Sequence, residues 1–336
     1  MRGKAFFGYD SDMKKELNSH FWAALERRRG LFSEKKETDC FRLFCGEKEG
    51  VPGLRIDLFN QTLIFQTDEG KCDLSTECLL ESASFIAEQV GAENAYLKTF
   101  VPDRSRKLAD DGMYDAKPFW GIPAAAEVVI RENGLHFSVR PFDGFSVGLF
   151  LDQKNNRRLV SRGVAGKRVL NLFAYTCGFS VSCAANGASV TSVDVSKRYL
   201  DWGKRNFELN QLSASDHFFV VQDTFDYLKF AQKKSLPFDL IIVDPPSFSR
   251  NRNGDVFSVT KDLDKLLRAV GDVIVPGGKI FFSSNHSAWT SESLKKAAQP
   301  VLKTLGRTAF LDLPEPSLDF VKETHPLSQW MIQKSY

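Results

Sequence analysis

Phe238-Asp-Leu-Ile-Ile-Val-Asp-Pro-Pro-Ser-Phe248 is an apolar run that ends abruptly in an acid, two prolines and an aromatic ring. The consecutive apolar residues Leu240 to Val243 suit a strand buried on both faces, and Pro245-Pro246 continue neither a sheet ladder nor a helix. Asp244 is therefore expected at the strand's carboxyl end. In open α/β sheets ligands sit at that edge. A carboxylate, backbone carbonyls without competing N–H groups and the ring of Phe248 would converge there on a small site able to grip a flat polar ring. Taken alone, Asp-Pro-Pro is also compatible with a plain strand-ending turn.

Working outward, the chain from Lys167 alternates short apolar runs with helical stretches. Arg168–Ala174, Ala188–Asp194, His217–Gln222, Phe238–Asp244 and Lys279–Ser283 read as strands, with helices over Ser196–Asn210 and Thr260–Val275. Gly277-Gly278 after Pro276 reads as a helix-to-strand turn. This is a βαβ series on a parallel sheet, the α/β doubly wound class. Upstream, the best helix candidate is Met13–Arg29. Strand-like runs Phe41–Phe44, Leu54–Phe59 and Thr62–Thr67 then precede a helix near Ser75–Val90 and a strand Ala95–Phe100. Asn133-Gly134 between two β-prone runs is the strongest hairpin signal in the chain. The expected organisation is a helical extension over residues 1–37, a small α+β domain over 38–127 and an α/β domain over 128–336.

Composition narrows the function classes. The 336 residues are 43% hydrophobic and 26% charged, as in an ordinary soluble protein, and too many for one typical core. No run approaches the roughly 18 apolar residues of a membrane span, and the amino terminus lacks the apolar core of a signal peptide, so a cytoplasmic location is expected. The six cysteines show no Cys-x-x-Cys spacing and the five histidines are scattered; no metal site is expected. A net charge of +3 permits a nucleic-acid partner without demanding one.

Three successive strands end in acids: Asp194, Asp223 and Asp244. Each alone is more often a helix cap or turn residue. Asp194, about 20 residues beyond the first strand, is placed to accept the hydroxyl hydrogens of a ribose, and Asp223 to accept an adenine amino hydrogen. The first strand enters the turn Phe173-Ala-Tyr-Thr-Cys-Gly178, where Gly178 would let the backbone approach a ligand and the following helix would aim N–H groups at an anionic end. The turn is not G-x-G-x-x-G, so a ligand with a single carboxylate fits better than a dinucleotide.

The stretches Gly148–Arg157, Asn171–Ser180, Val193–Ser196, Asn206–Asn210 and Asp239–Phe248, in that order, resemble the class I S-adenosylmethionine-dependent methyltransferases. More narrowly, they resemble the bacterial large-subunit rRNA methyltransferases that make 5-methylcytosine or 7-methylguanosine. The resemblance covers residues 128–336, and Phe41–Glu47 with Gly50–Asp57 look like the small domain that precedes catalysis in these enzymes. It implies a seven-stranded Rossmann-like sheet, S-adenosylmethionine as cofactor and structured RNA as substrate. Residue by residue, it assigns the cofactor to Phe150, Asp152, Gln153, Phe173, Tyr175, Thr176, Gly178, Asp194, Ser196 and Asp223. Asp244, Pro245, Phe248 and Asn285, with Ser284 beside them, would line the acceptor pocket. Lys154, Arg157, Arg158, Arg250 and Arg252 are the phosphate candidates. Lys154 stands where the family usually has arginine, which keeps the charge but loses the bidentate fork.

The acceptor base turns on one position. Methylating cytosine at C5 needs a thiolate to add at C6. In the 5-methylcytosine branch a cysteine follows the strand after the Gly-Gly turn, and here Ser284 takes its place. Cys177 and Cys183 read as small buried hydrophobes. Phe282-Ser-Ser-Asn285 instead resembles the 7-methylguanosine branch, whose acceptor N7 needs only alignment with the methyl group. Guanine N7 is the favoured acceptor. The alternatives are a 5-methylcytosine enzyme, a methyltransferase of a non-RNA acceptor, and an inactive RNA-binding module on the same fold.

Overall fold

The computed structural model describes residues 11–33, 36–101, 115–144, 146–250, 256–287, 289–306, 308–321 and 327–335. The chain divides into two compact units, one of Met1–Leu151 with Pro316–Thr324 and one of Asp152–Glu315 with His325–Tyr336.

The first unit begins with helices α1 (Ser11–Arg27) and α2 (Arg29–Phe32), followed by strands β1 (Cys40–Cys45), β2 (Leu54–Phe59) and β3 (Thr62–Asp68). Helix α3 (Thr76–Val90) then leads to β4 (Asn94–Phe100), the short β5 (Trp120–Gly121) and the hairpin β6 (Val128–Glu132) and β7 (Leu135–Val139). Strands β1 to β5 form one sheet in sequence order, antiparallel except for the parallel β3–β4 pair that α3 bridges. Ser75 caps α3 by accepting from Cys78 N at 3.2 Å, and left-handed Gly91 ends it. Helix α1 is no mere extension. Its Leu17, Phe21, Ala24 and Leu25 recur on one face and are buried in the core of the unit, where Phe21 meets Phe44 edge-on at 5.0 Å.

The hairpin lies where Asn133-Gly134 puts it, with φ of 50° and 78° at the turn. It belongs to this first unit, because Asp39 N donates to Arg131 O (3.0 Å) and Arg131 N donates back to Asp39 Oδ1 (2.7 Å). The boundary expected at residue 128 therefore falls at Leu151/Asp152. A later segment also returns to this unit: Arg42 N donates to Asp319 Oδ2 at 3.2 Å and Arg28 Nη2 to Asp319 O at 3.1 Å.

The second unit opens with α4 (Lys154–Val160) and then alternates β8 (Arg168–Leu172), α5 (Gly178–Ala185), β9 (Ser189–Asp194), α6 (Lys197–Leu209), β10 (Phe218–Val221), α7 (Thr224–Lys233) and β11 (Phe238–Val243). A small hairpin of β12 (Phe248–Arg250) and β13 (Val256–Ser258) precedes α8 (Val259–Gly271), β14 (Ile274–Ser284), α9 (Ser291–Thr304), β15 (Thr308–Leu311) and β16 (Ser328–Lys334). The seven-stranded sheet runs β10-β9-β8-β11-β14-β16-β15, with β16 antiparallel to both neighbours. Leu240 to Val243 are 3% exposed or less, as a strand covered on both faces requires. On β14, Phe281 faces Phe179 of α5, while Phe282 joins the core built by α7, α8 and α9. Alternate residues thus feed opposite layers.

One element differs from its sequence reading. Helix α8 stops at Gly271, and Ile274 and Val275 already belong to β14. Pro276-Gly277-Gly278 is not a helix-to-strand turn but an irregularity inside the strand, where the register with β11 jumps from Phe238↔Ile274 to Leu240↔Lys279. Proline has no N–H for the ladder, and Gly277 takes the φ of +77° that the bulge demands.

Candidate active site

Strands β8, β9, β10 and β11 are parallel, so their carboxyl ends share one edge of the sheet. The strand order reverses between β8 and β11, which is where doubly wound sheets open a crevice. The loops leaving these strands carry the acids singled out in the sequence.

The loop after β8 is held in an unusual backbone. Phe173, Tyr175 and Cys177 have φ of 57°, 49° and 63°, left-handed values that cost about 1–3 kcal/mol each without glycine. Gly178, expected to supply the freedom of this turn, is instead the first residue of α5. The surroundings impose the strain. Ala174 N donates to Val193 O (3.0 Å), and the buried Asn206 of α6 donates to Thr176 O (2.9 Å). Gly203 of the same helix lets the loop approach: a Cβ there would lie 2.4 Å from Cys177 Sγ. Beneath the loop, Asn171, Ser180 and Ser192 form a buried hydrogen-bonded chain with 2.8 Å steps. Strain imposed on a loop at a ligand edge marks a functional site.

Asp194 completes this corner. Its Oδ2 accepts from Tyr175 N (2.9 Å) and its Oδ1 from Ser196 N (2.8 Å). Burial pushes its pKa up, while these backbone bonds pull it back. The backbone N–H groups of Tyr175, Ser196 and Val195 all face this carboxylate, which has about four acceptor positions and so keeps room for a further donor such as a hydroxyl. Ser196 caps α6 by accepting from Tyr199 N at 3.3 Å, and the Tyr175 ring meets Tyr199 at 4.5 Å. Asp223 is an N-cap of α7, its Oδ1 accepting from Phe225 N (2.8 Å) and Asp226 N (3.3 Å).

Asp244 sits in a denser network than the sequence suggested. Ser283 Oγ donates to its Oδ1 at 2.6 Å, and Gln153 Nε2 reaches both its Oδ2 (3.1 Å) and Ser283 Oγ (3.0 Å). Asn156 Nδ2 then links Gln153 Oε1 (2.7 Å) to Gln329 Oε1 (2.6 Å). Burial raises the pKa of Asp244; the Ser283 bond, the charge of Arg157 and the Gln153 bond act against it. Ser283, Asn156 and Gln329 carry no signal in the sequence that singles them out. The register Val243↔Phe282 brings Ser283 beside Asp244, whereas Ser284, expected in the pocket, is 1% exposed and its Oγ accepts from His286 N at 3.2 Å.

Two phosphate candidates need correction. Lys154 and Arg157 are only 7% and 2% exposed, and the Arg157 guanidinium packs 5.9 Å from the Phe179 ring centroid. The charge of Arg157 acts on Asp244, and side chains buried to this degree do not present a phosphate-binding surface. Arg158 is exposed. The side chain of Arg250 and the whole of Arg252 lie outside the described residues. Pro245 is buried and Phe248 exposed, its ring 6.2 Å from His286; Asn285 accepts from Ser247 Oγ at 3.3 Å. Phe150 is exposed and belongs to the first unit, and Asp152 is half-buried in the second. Among the described residues no cluster of metal-ligating side chains occurs, and no helix is long and apolar enough to cross a membrane.

Known proteins extend these observations. Residues 115–314 match the family described as S-adenosylmethionine-dependent methyltransferase. A Deinococcus radiodurans protein named as a ribosomal RNA large subunit methyltransferase is 32% identical over 304 residues, 88% of this chain and 73% of that one. A Colwellia psychrerythraea protein named as ribosomal RNA large subunit methyltransferase K/L is 36% identical over 97% of this chain, which spans only 44% of its length. A crystal structure of a protein assigned as a methyltransferase, complexed with SAH, superposes with a TM-score of 0.83 at 31% identity, covering 98% of this chain and 83% of that one. With its strained β8 loop, its acid-tipped parallel strands and its seven-stranded sheet, the chain belongs to the S-adenosylmethionine-dependent methyltransferases, beside relatives named as ribosomal RNA large subunit methyltransferases.

Proposed function

We propose that the enzyme methylates a base of large-subunit ribosomal RNA, with guanine N7 as the acceptor. S-adenosylmethionine supplies an electrophilic methyl group on a sulfonium. In this reading Asp194 and Ser196 hold its ribose, Asp223 its adenine, and the Phe173–Gly178 turn with Tyr175 and Thr176 its methionine end. Gln153 and Asp152 support that wall, and Phe150 lies just before it in the chain. Asp244, Pro245 and Asn285 frame the acceptor base, and exposed Phe248 stacks on it once it leaves its helix. Arg158, Arg250 and Arg252 meet the backbone phosphates.

The observation that carries the choice of acceptor is the state of the thiols. Cys177 and Cys183 are 0% exposed, and burial pushes both up to about 12. Buried and held in the thiol form, neither presents a thiolate to a substrate. The family's cysteine position is occupied by Ser284, itself buried. A C5 reaction therefore lacks its nucleophile. Guanine N7 has an in-plane lone pair: the new N–C bond forms as the S–C bond breaks, the base takes the positive charge, and no proton has to leave. Alignment alone supplies the rate.

Incubating the enzyme with rRNA containing 5-fluorocytosine tests this. Cytosine chemistry would trap a covalent protein–RNA adduct. The expected result is no adduct, with Cys177→Ala and Cys183→Ala variants still methylating RNA. An adduct lost on changing one cysteine would replace guanine with cytosine and leave the methyltransferase assignment standing.

A further inference from the structure

Helices α7 and α8 lie side by side, and between them runs a surface cleft of about 250 Å³. Its floor is apolar, made by Phe225, Leu228 and Ala269. Its rim is cationic, with Lys229, Lys265 and Arg268 all exposed. The acid among the lining residues, Asp272, accepts a hydrogen bond from Gln232 at 3.0 Å. The ammonium of Lys265 stands 4.4 Å from the Phe225 ring centroid, held over the mouth by the face of the ring. Lys229 lies 4.0 Å from Asp226, an exposed pair that holds it only weakly. The cleft is smaller than the roughly 300–1,000 Å³ usual for small-molecule sites. It suits the edge of one base or sugar with phosphates along the rim.

One end of the cleft, at Phe225, lies near the carboxyl-end edge of the sheet. Phe225 follows Asp223 by two residues, and its ring lies 6.2 Å from Phe257, which in turn lies 5.4 Å from Phe173 of the strained loop. From Phe225 to Gln232 a helix rises about 10 Å, or roughly three nucleotide spacings at about 3.4 Å each. We propose that this cleft is a second RNA contact, in which Lys229, Lys265 and Arg268 hold phosphates of the strand that delivers the acceptor base. The inference rests on the reading of RNA as substrate. Charge selects the occupant: three exposed cations around an apolar floor with one aromatic ring match a phosphodiester strand and repel a basic protein surface.

The test compares wild type with the triple variant Lys229→Ala/Lys265→Ala/Arg268→Ala, using in-vitro-transcribed large-subunit rRNA as probe over a series of salt concentrations. The three side chains are exposed, so Tm and S-adenosylmethionine affinity should stay unchanged. RNA affinity should fall about tenfold or more at low salt. The slope of log affinity against log salt should shrink by about 2, from roughly 0.7 per phosphate contact on a single strand. If wild type methylates the transcript while the variant keeps the same Kd and slope, the cleft inference is overturned alone. If wild type leaves the transcript unmethylated, the RNA reading fails and the cleft falls with it.

Discussion

Ser283→Ala probes the network around Asp244 most sharply, because its neighbour Ser284 provides a built-in control. Ser283 Oγ donates to Asp244 Oδ1 at 2.6 Å, in a site where Ser283 is 0% exposed. A hydrogen bond to a buried charge is worth about 1.5–3 kcal/mol. Gln153 Nε2 loses one acceptor and keeps the other, Asp244 Oδ2 at 3.1 Å, so little is added. The expected destabilisation is about 2 kcal/mol, or a fall in Tm of about 4–8 °C. The pH dependence has a definite sign. Burial holds the folded pKa of Asp244 above the usual 3.8, and the Ser283 bond acts to lower it. Removing that bond raises it further, so the penalty is full at pH values above both folded pKa values, where the carboxylate is charged. It shrinks as pH falls through the raised value and the carboxyl protonates. Ser284→Ala, which removes only an acceptor for His286 N at 3.2 Å, should cost about 0.5–1.5 kcal/mol with no such dependence. Thermal melts of both variants across this acid range decide the matter. Equal losses, or a Ser283→Ala loss that does not change with pH, would refute the network.

Asp194→Ala should weaken S-adenosylmethionine binding by about 2–4 kcal/mol in titration calorimetry, through lost charge-assisted hydrogen bonds; unchanged affinity in the folded variant removes Asp194 from the site. Gly203→Ala places a Cβ 2.4 Å from Cys177 Sγ and should cost about 1–3 kcal/mol by overpacking. It should also loosen cofactor binding, and adding Cys177→Ala should restore part of both; no change in either contradicts the buttressing role of α6. Lys98 is 0% exposed, donates to Gly144 O, and is driven down to about 7 by burial. Between about 7 and 10.5 the unfolded chain holds a proton that the folded one does not, so stability should rise with pH across that window by at most about 5 kcal/mol. Lys98→Met should flatten the rise in denaturant melts, and an identical profile in both proteins would show that Lys98 is not the titrating group.

The sequence carried the catalytic sheet because its signals were local. Four apolar residues before Asp-Pro-Pro specified the central strand, and Asn133-Gly134 specified a hairpin whose turn geometry only such residues adopt easily. The site was legible as far as strand ends were. Asp194, Asp223 and Asp244 lie at the ends of parallel strands on one edge. What was hidden depends on register and packing. Whether Ser283 or Ser284 faces Asp244 is fixed by the pairing Val243↔Phe282, and a one-residue slip would exchange them. Lys154 and Arg157 look like surface cations because charge usually stays in water; an acid brought from a distant strand keeps Arg157 inside. The glycine in the β8 turn was the obvious carrier of unusual backbone. The strain fell instead on Phe173, Tyr175 and Cys177, because Asn206 and Gly203, some 30 residues later, can enforce it. The unit boundary moved for a similar reason: Asp39 claims the hairpin through hydrogen bonds that no local pattern announces.

The most direct measurement is nucleoside analysis by mass spectrometry of large-subunit rRNA taken from cells lacking this gene and then treated with the purified enzyme and methyl-labelled S-adenosylmethionine. The expected outcome is label in 7-methylguanosine alone. Label in 5-methylcytidine, or no label in any nucleoside of that RNA, would contradict it.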